Sequence, residues 1–352
     1  MSARLEKLCR RLAQEQLDAI LVSQAENRRY LSGFTGSAGF LLISAQSAIL
    51  ATDSRYTEQA QNQASGFRIH RIEGEMQKWL AGLIGSVEAK RVGFESNGLS
   101  FYTYQQLVAA AGGKELVPTD GLVEALRAVK DEGELESIMT AVELSDAAFD
   151  EVEPTIRPGI TEREVAWALE KSMREKGSEA MPFHIIVASG PNAALAHHTP
   201  SERTIGEGEP VVIDMGARIA GYSSDLTRTV CLGKGDEDFD RIYHLVLQAQ
   251  LAAANGITAG MSGDQADALA RTVIQEGGHG EDFGHALGHG VGLAPHEQPR
   301  LGKGSQDILA DGMVFTIEPG IYISGWGGVR IEDTAVMEAG KAKVLSKARK
   351  LY

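Results

Sequence analysis

Cysteine is nearly absent from this chain: Cys9 and Cys231 are the only two in 352 residues. They lie too far apart to form metal-site spacing and too few to make a disulfide framework, which points to a reduced, cytoplasmic protein. Long apolar runs are missing as well. No stretch approaches the ~18 residues a membrane span needs, and the opening MSARLEKLCRRLAQEQLD reads as an amphipathic helix without the apolar core of a signal peptide. Positive charge is in deficit, with 34 Lys and Arg against 48 Asp and Glu and a net charge of −14. That balance argues against nucleic acid or an anionic membrane as a partner. Neither a Gly-x-Gly-x-x-Gly fingerprint nor a P-loop occurs, and GFTGSAG reads as a plain loop.

What remains is an ordinary soluble composition, 43% apolar and 23% charged, too long for one core. Over the first third, helix and strand patterns alternate. Helices are expected at 5–16, 54–64, 76–85 and 99–111, and strands at 19–22, 40–43, 48–52, 67–73 and 91–95. This is an α/β pattern. It breaks at the Pro118-Thr119-Asp120-Gly121 turn signal, which predicts an α/β domain over 1–125 and a second domain over 126–352.

The second part has the same order of elements twice: helix, helix, hairpin. Helices over 131–152 and 161–177 precede VVIDMGARIAGYSSDLTRTV, residues 211–230. Helices over 238–254 and from Ser262 precede MVFTIEPGIYISGWGGVRIEDTAVM, residues 313–337. Thr161 with Glu164, and Ser262 with Gln265, spell capping boxes at matching places. In the first hairpin a fold between Ile219 and Ala220, with Gly221 in the turn, sets Asp214 opposite Asp225. In the second, Glu318 and Glu332 lie equally far from Gly325. Carboxylates this close on apolar strands repel and are desolvated, and a divalent cation resolves the conflict.

Between the hairpins, GHALGHGVGLAPHEQP carries His285, His289 and His296, and beside four carboxylates one of these imidazoles is expected to bind metal. A donor set of oxygens and one imidazole suits Mn²⁺ and accepts Co²⁺ or Zn²⁺. Four carboxylates exceed the need of one ion, so two divalent cations ~3.5–4 Å apart are expected, activating a shared water. His197 and His198, in SGPNAALAHHTP, precede the first hairpin as His289 and His296 precede the second. They are candidates for steadying an oxyanion and passing protons.

The motifs VVIDMG, YSSDLTRT, GHGVGLAPHEQP, TIEPGIY and GVRIEDT, together with NRRYLSGFTGSAG in the first part, resemble the metal-dependent Xaa-Pro peptidases, the aminopeptidase P and prolidase group with the pita-bread fold. The resemblance implies an α/β amino-terminal domain and a carboxy-terminal pita-bread domain with a pseudo-twofold repeat. It implies metal ligation by Asp214, Asp225, His289, Glu318 and Glu332, with Asp225 and Glu332 bridging and Glu318 as general base. His197 and His296 would contact the substrate and transition state, and Arg300 would grip a substrate carboxylate. The implied reaction is hydrolysis of the bond between an N-terminal residue and proline, with a strict Xaa-Pro dipeptidase as the nearest alternative and a catalytically silent binding module as a remoter one. A homodimer is the expected assembly and proline-containing peptides the expected partners.

Overall fold

The computed structural model describes residues 2–351 and divides the chain into two compact units, Met1–Arg127 and Ala128–Tyr352. In the first unit the elements are α1 (Ala3–Gln14), β1 (Ala19–Val22), α2 (Ala25–Ser32), β2 (Phe40–Ser44), β3 (Ala48–Thr52), α3 (Thr57–Gln63), β4 (Arg68–Arg71), α4 (Met76–Gly85), β5 (Arg91–Glu95), α5 (Phe101–Ala110), β6 (Glu115–Thr119) and α6 (Glu124–Arg127). The strands form one mixed sheet in the order β4-β3-β2-β1-β5-β6. Its interior strands are apolar along their middles, where both faces are covered, and Leu21, Leu42, Ile49, Leu80, Leu83 and Val92 share one core. Pro118 is tolerated in β6 because that strand is an edge, where one side needs no ladder donor.

Helix α2 is absent from the sequence expectation. Its segment carries little apolar periodicity, and what holds it is a buried cation. The Arg28 guanidinium donates to the carbonyls of Ser23, Gly36 and Gly39, at 3.2, 2.9 and 2.9 Å. The glycine-rich stretch is thus a loop wrapped around an arginine.

In the second unit the first half contains α7 (Glu132–Val152), α8 (Glu162–Glu175), β7 (Ile186–Ser189), β8 (Pro210–Met215), β9 (Arg218–Ile219), β10 (Tyr222–Ser223) and β11 (Leu226–Cys231). The second contains α9 (Glu237–Gly256), α10 (Gly263–Glu276), β12 (Gly288–Gly290), β13 (Glu297–Leu301), β14 (Val314–Ile317), β15 (Gly320–Ile323), β16 (Gly327–Arg330), β17 (Asp333–Glu338) and β18 (Lys341–Val344). Both capping boxes close as spelled, Thr161 with Glu164 and Ser262 with Gln265. Each half then has its own core: Phe149, Val165, Leu169 and Ile213 in the first, Ile242, Val246, Phe315 and Ile331 in the second. Each such fully buried side chain is worth ~1.5–3 kcal/mol.

The first half's sheet runs β11-β8-β7 and the second's β13-β12-β14-β17-β18, all antiparallel. The halves join where β11 runs beside β16 and the residues leading into β17, β16 pairing separately with β15. The Glu332 N–H donates to the Thr227 carbonyl at 3.0 Å. The Thr229 hydroxyl donates to the Arg330 carbonyl at 2.8 Å and accepts from its N–H at 3.0 Å. This joint brings acidic positions of the two hairpins together.

At the first position of α8, Glu162 is fully buried. Burial alone would raise its carboxyl. Hydrogen bonds from the Ser201 hydroxyl, the Asn192 amide, the Ser189 N–H and His198 outweigh burial and hold it at about 2. A carboxyl depressed in the folded protein contributes stability that is present above its ordinary value of 4.5 and lost as pH falls toward 2. A depression of that size is worth up to about 3 kcal/mol, less where solvent screens the group. Urea denaturation of metal-free protein between pH 5 and 2 is therefore expected to show a loss of that size, and Glu162→Gln is expected to remove it. A parallel acid profile in the variant would contradict the assignment.

Candidate metal centre

The first hairpin differs from expectation in register. Its turn places Ala220 and Gly221 at the two central positions with φ of 48° and 82°, and Ile219 pairs with Tyr222. This is the positive-φ pair that a two-residue hairpin turn prefers. The fold point therefore lies one residue further on, and Asp214 pairs with Thr227 rather than Asp225. The second hairpin has the expected register: Ile317 pairs with Asp333 and Gly320 with Arg330, both centred on Gly325. Glu318 and Glu332 lie in the gap between those two ladders, where the strands part and side chains have room.

The acidic groups gather around His289 all the same. Its Nε2 lies 3.2 Å from Glu318 Oε1 and 3.7 Å from Asp225 Oδ2. One ligand atom each from Asp225, His289 and Glu332 falls within 4.8 Å of the others. His289 Nδ1 lies 3.1 Å from the Gly290 carbonyl. A carbonyl can only accept, so Nδ1 carries a proton in either state; Nε2 faces the carboxylates, donating to Glu318 while the ring is protonated and offering its lone pair to a metal once the ring is neutral.

The electrostatics are those of an over-filled acidic site. Burial pushes Asp225 well above the usual carboxylate range, and the charges of Glu332, Asp214 and Glu318 push it further. Burial does the same to Glu332, aided by Glu318 and Asp214. Asp214 is also raised by burial, against the opposing charge of Arg330. Glu318 is the exception: burial is outweighed by the hydrogen bond and charge of His289, which hold it at about 2. Asp214 Oδ1 is buried with no hydrogen-bond partner. An orphaned carboxylate oxygen, set among like charges and one imidazole lone pair, fits a divalent cation and fits little else.

Side chains around these groups fix them. The Thr227 hydroxyl donates to Glu332 Oε2 at 2.6 Å, and the Thr316 hydroxyl to Glu318 Oε1 at 2.9 Å. Arg330 Nη2 meets Asp214 Oδ2 at 2.6 Å, and its Nη1 meets the Tyr322 hydroxyl at 2.9 Å. Tyr322 in turn lies 2.9 Å from His285 Nε2, whose Nδ1 is taken by the Ala286 carbonyl, so His285 is a fixed neighbour of the cluster. No role was read for Thr227, Thr316, Tyr322 or Arg330 in the sequence, although all four stand inside the motifs quoted. Polar residues at buried strand positions were the available signal.

The histidine pair separates. His198 Nε2 lies 2.9 Å from the buried Glu162, whereas His197 is exposed and close enough to His296 for its charge to act there. The His296 ring lies against that of His289, tilted at 58° with centroids 4.2 Å apart. Burial, then the charge of His289, lowers its basicity, so at neutral pH it is an uncharged donor or acceptor. Arg300 pairs with His289 across β12 and β13, but its guanidinium donates to the Lys303 carbonyl and makes no contact with the acidic groups.

Next to His296, Glu297 forms a buried ion pair with Lys130 at 2.8 Å, with side-chain exposures of 4% and 1%. Removing one member of such a pair strands the other. Lys130→Met is expected to destabilise the protein by about 3 kcal/mol in urea, and Lys130→Met with Glu297→Met by much less. Equal losses in the two variants would show that the pair's charge is not what is felt there.

A model of metallopeptidase family M24 matches residues 136–339, and one of the creatinase/prolidase N-terminal domain matches residues 4–129. The chain is 42% identical to an uncharacterized peptidase of Bacillus subtilis over 95% of each chain. It is 37% identical to the Xaa-Pro dipeptidase of Pyrococcus horikoshii over 99% of this chain and 98% of that one. Among solved structures, the Xaa-Pro dipeptidase from Bacillus anthracis matches with a TM-score of 0.95 at 42% identity, covering 99% of this chain and 98% of the other. The X-Pro aminopeptidase from Thermotoga maritima matches with a TM-score of 0.90 at 37% identity and 98% of each chain.

Proposed function

We propose, from the premise that this chain belongs to metallopeptidase family M24, that it hydrolyses the bond between an N-terminal residue and proline, with Xaa-Pro dipeptides among its substrates. The observation that carries the chemistry is the cluster of buried carboxylates around the His289 lone pair, with Asp214 Oδ1 unsatisfied. The substrate class is supported by relatives named for Xaa-Pro cleavage that match over nearly their whole length. Those names divide between dipeptidase and aminopeptidase, so Xaa-Pro-Yaa peptides are the second substrate to try.

Asp214, Asp225, His289, Glu318 and Glu332 would hold two divalent cations, Mn²⁺ by preference and Co²⁺ or Zn²⁺ as alternatives. When bound, such cations supply Lewis acidity, lowering the pKa of water and polarising a carbonyl. The chain's own groups do the rest. Glu318, its Oε1 held by the Thr316 hydroxyl, takes a proton from the attacking water. His197, exposed beside His296, donates to the oxyanion of the tetrahedral intermediate. His296 delivers a proton to the departing proline nitrogen, and Arg300 is available to a substrate carboxylate. The setting is a reduced cytoplasm, supported by two cysteines that form no disulfide. Among the described residues no helix is long and apolar enough to cross a membrane. The assembly is a homodimer on the family resemblance alone, which light scattering tests directly.

The deciding experiment assays Xaa-Pro, Xaa-Pro-Yaa and Xaa-Ala peptides with Mn²⁺, Co²⁺ and Zn²⁺ in turn. Metal-dependent cleavage of Xaa-Pro and none of Xaa-Ala is expected. Cleavage that ignores proline, or survives chelation, would overturn the reading.

A further inference from the structure

His197 is exposed, and among the described residues its imidazole makes no hydrogen bond. Nothing it touches aims it, so its direction must come from the backbone that carries it. That backbone is fixed one residue away on each side. Before it, the Ala196 carbonyl accepts from Arg330 Nη1 at 3.3 Å. After it, His198 Nε2 lies 2.9 Å from Glu162 Oε2.

Every side-chain hydrogen bond of Glu162 goes to this same segment. Its Oε1 accepts from the Ser189 N–H and hydroxyl, both at 2.8 Å, and from the Asn192 amide at 3.0 Å. Its Oε2 accepts from the Ser201 N–H at 3.1 Å, the Ser201 hydroxyl at 2.7 Å and His198. The partners lie 27 to 39 residues away in sequence, so this is a tertiary clamp and no local turn. An ionised carboxylate is acceptor-only, and each of its oxygens here faces donors, some of which must share a lone pair. Its bonds are charge-assisted, and its place at the start of α8 favours the negative charge.

We propose that Glu162 is a positioning residue for His197: by fixing His198 and both ends of the 189–201 segment, it holds the His197 imidazole toward the reacting peptide. This rests on the reading that His197 meets the substrate. Glu162 itself touches no reacting atom. Its loss lets the imidazole stray, and a displacement near 1 Å costs on the order of 10²-fold in rate.

The test uses the full chain loaded with Mn²⁺. Glu162→Gln turns one acceptor into a donor facing donors, and His198→Ala cuts the same link from the other side. Both are expected to lower kcat on an Xaa-Pro dipeptide by about 10- to 100-fold, with KM changed less than about threefold and metal content unchanged. His198→Gln, whose amide can still donate to Glu162, is expected to recover most of the rate. In a His197→Ala background Glu162→Gln should cost less than about twofold, because the two act as one unit. An undiminished kcat, or a loss that simply multiplies that of His197→Ala, overturns the proposal. If Glu162→Gln does not fold, the two His198 variants carry the same test.

A readout independent of turnover separates this inference from the function it rests on. In metal-free protein, the His197 backbone amide resonance in NMR should be sharp and displaced from its random-coil position, and His198→Ala should broaden it or collapse it toward that position. An unchanged resonance overturns the positioning role. If the wild type cleaves no Xaa-Pro peptide, the substrate reading fails while the resonance still decides whether Glu162 aims His197.

Discussion

Glu332→Gln will lower turnover of Xaa-Pro dipeptides by about a thousandfold or more, and it will raise the thermal midpoint of the metal-free protein. The two effects have one cause. Glu332 is buried, its Oε2 takes the Thr227 hydroxyl, and its carboxylate lies within 4.8 Å of Asp225. Like charges at such distances repel by up to ~4 kcal/mol at an effective dielectric constant near 20. Without cations that repulsion is a cost to the fold: burial and then the charge of Glu332 push Asp225 up, and burial and then the charges of Glu318 and Asp214 push Glu332 up. A neutral amide keeps the shape and the Thr227 bond while removing the repulsion, so the metal-free variant gains on the order of 1 kcal/mol. The same amide would be a poor ligand for a divalent cation, and losing one electrostatic element of a site typically costs 10²- to 10³-fold, more when a cation leaves with it. Chelation should therefore lower the thermal midpoint of the wild type and barely move that of the variant. An active variant, or one whose metal-free form melts below the metal-free wild type, would remove the acidic cluster from the centre of the chemistry.

How much of this was legible in the sequence depended on where the determining contacts lie. The second hairpin could be read because its turn glycine, Gly325 at φ 82°, is also its centre of register. The first could not, because Ala220 adopts a positive φ that its identity does not announce. A one-residue displacement of the fold point moved Asp225 off its partner, and Thr227 took the place opposite Asp214. Helix α2 was hidden for a different reason: Arg28 holds it through carbonyls eight and eleven residues away, and no periodicity encodes such a contact. The same is true of Glu162, adjacent to a capping residue that was read correctly. The family resemblance supplied roles for carboxylates and histidines. It was silent on the Arg330 guanidinium and the Thr227 hydroxyl, which aim Asp214 and Glu332 through tertiary contacts between the two halves.

Arg330→Lys will behave as a drastic change although it keeps the charge. The guanidinium reaches four groups from one plane: Asp214 Oδ2 at 2.6 Å, the Tyr322 hydroxyl at 2.9 Å, the Thr227 hydroxyl at 3.1 Å and the Ala196 carbonyl at 3.3 Å. Through Thr227 it sets the hydroxyl that orients Glu332, and through Ala196 it holds the segment bearing His197. An ammonium offers three donors from a single point and cannot span these directions. Lysine is expected to keep Asp214 paired and to release the others, lowering kcat/KM by about 10²-fold with a smaller loss of stability. Arg330→Met goes further, because it strands the buried Asp214 carboxylate. In the metal-free protein it should cost about 3–5 kcal/mol in urea, and adding Asp214→Asn should restore most of that. The contrast isolates two roles, charge balance and geometry. If Arg330→Lys binds metal and turns over peptide like the wild type, charge alone suffices and the fork's reach across the joint is incidental.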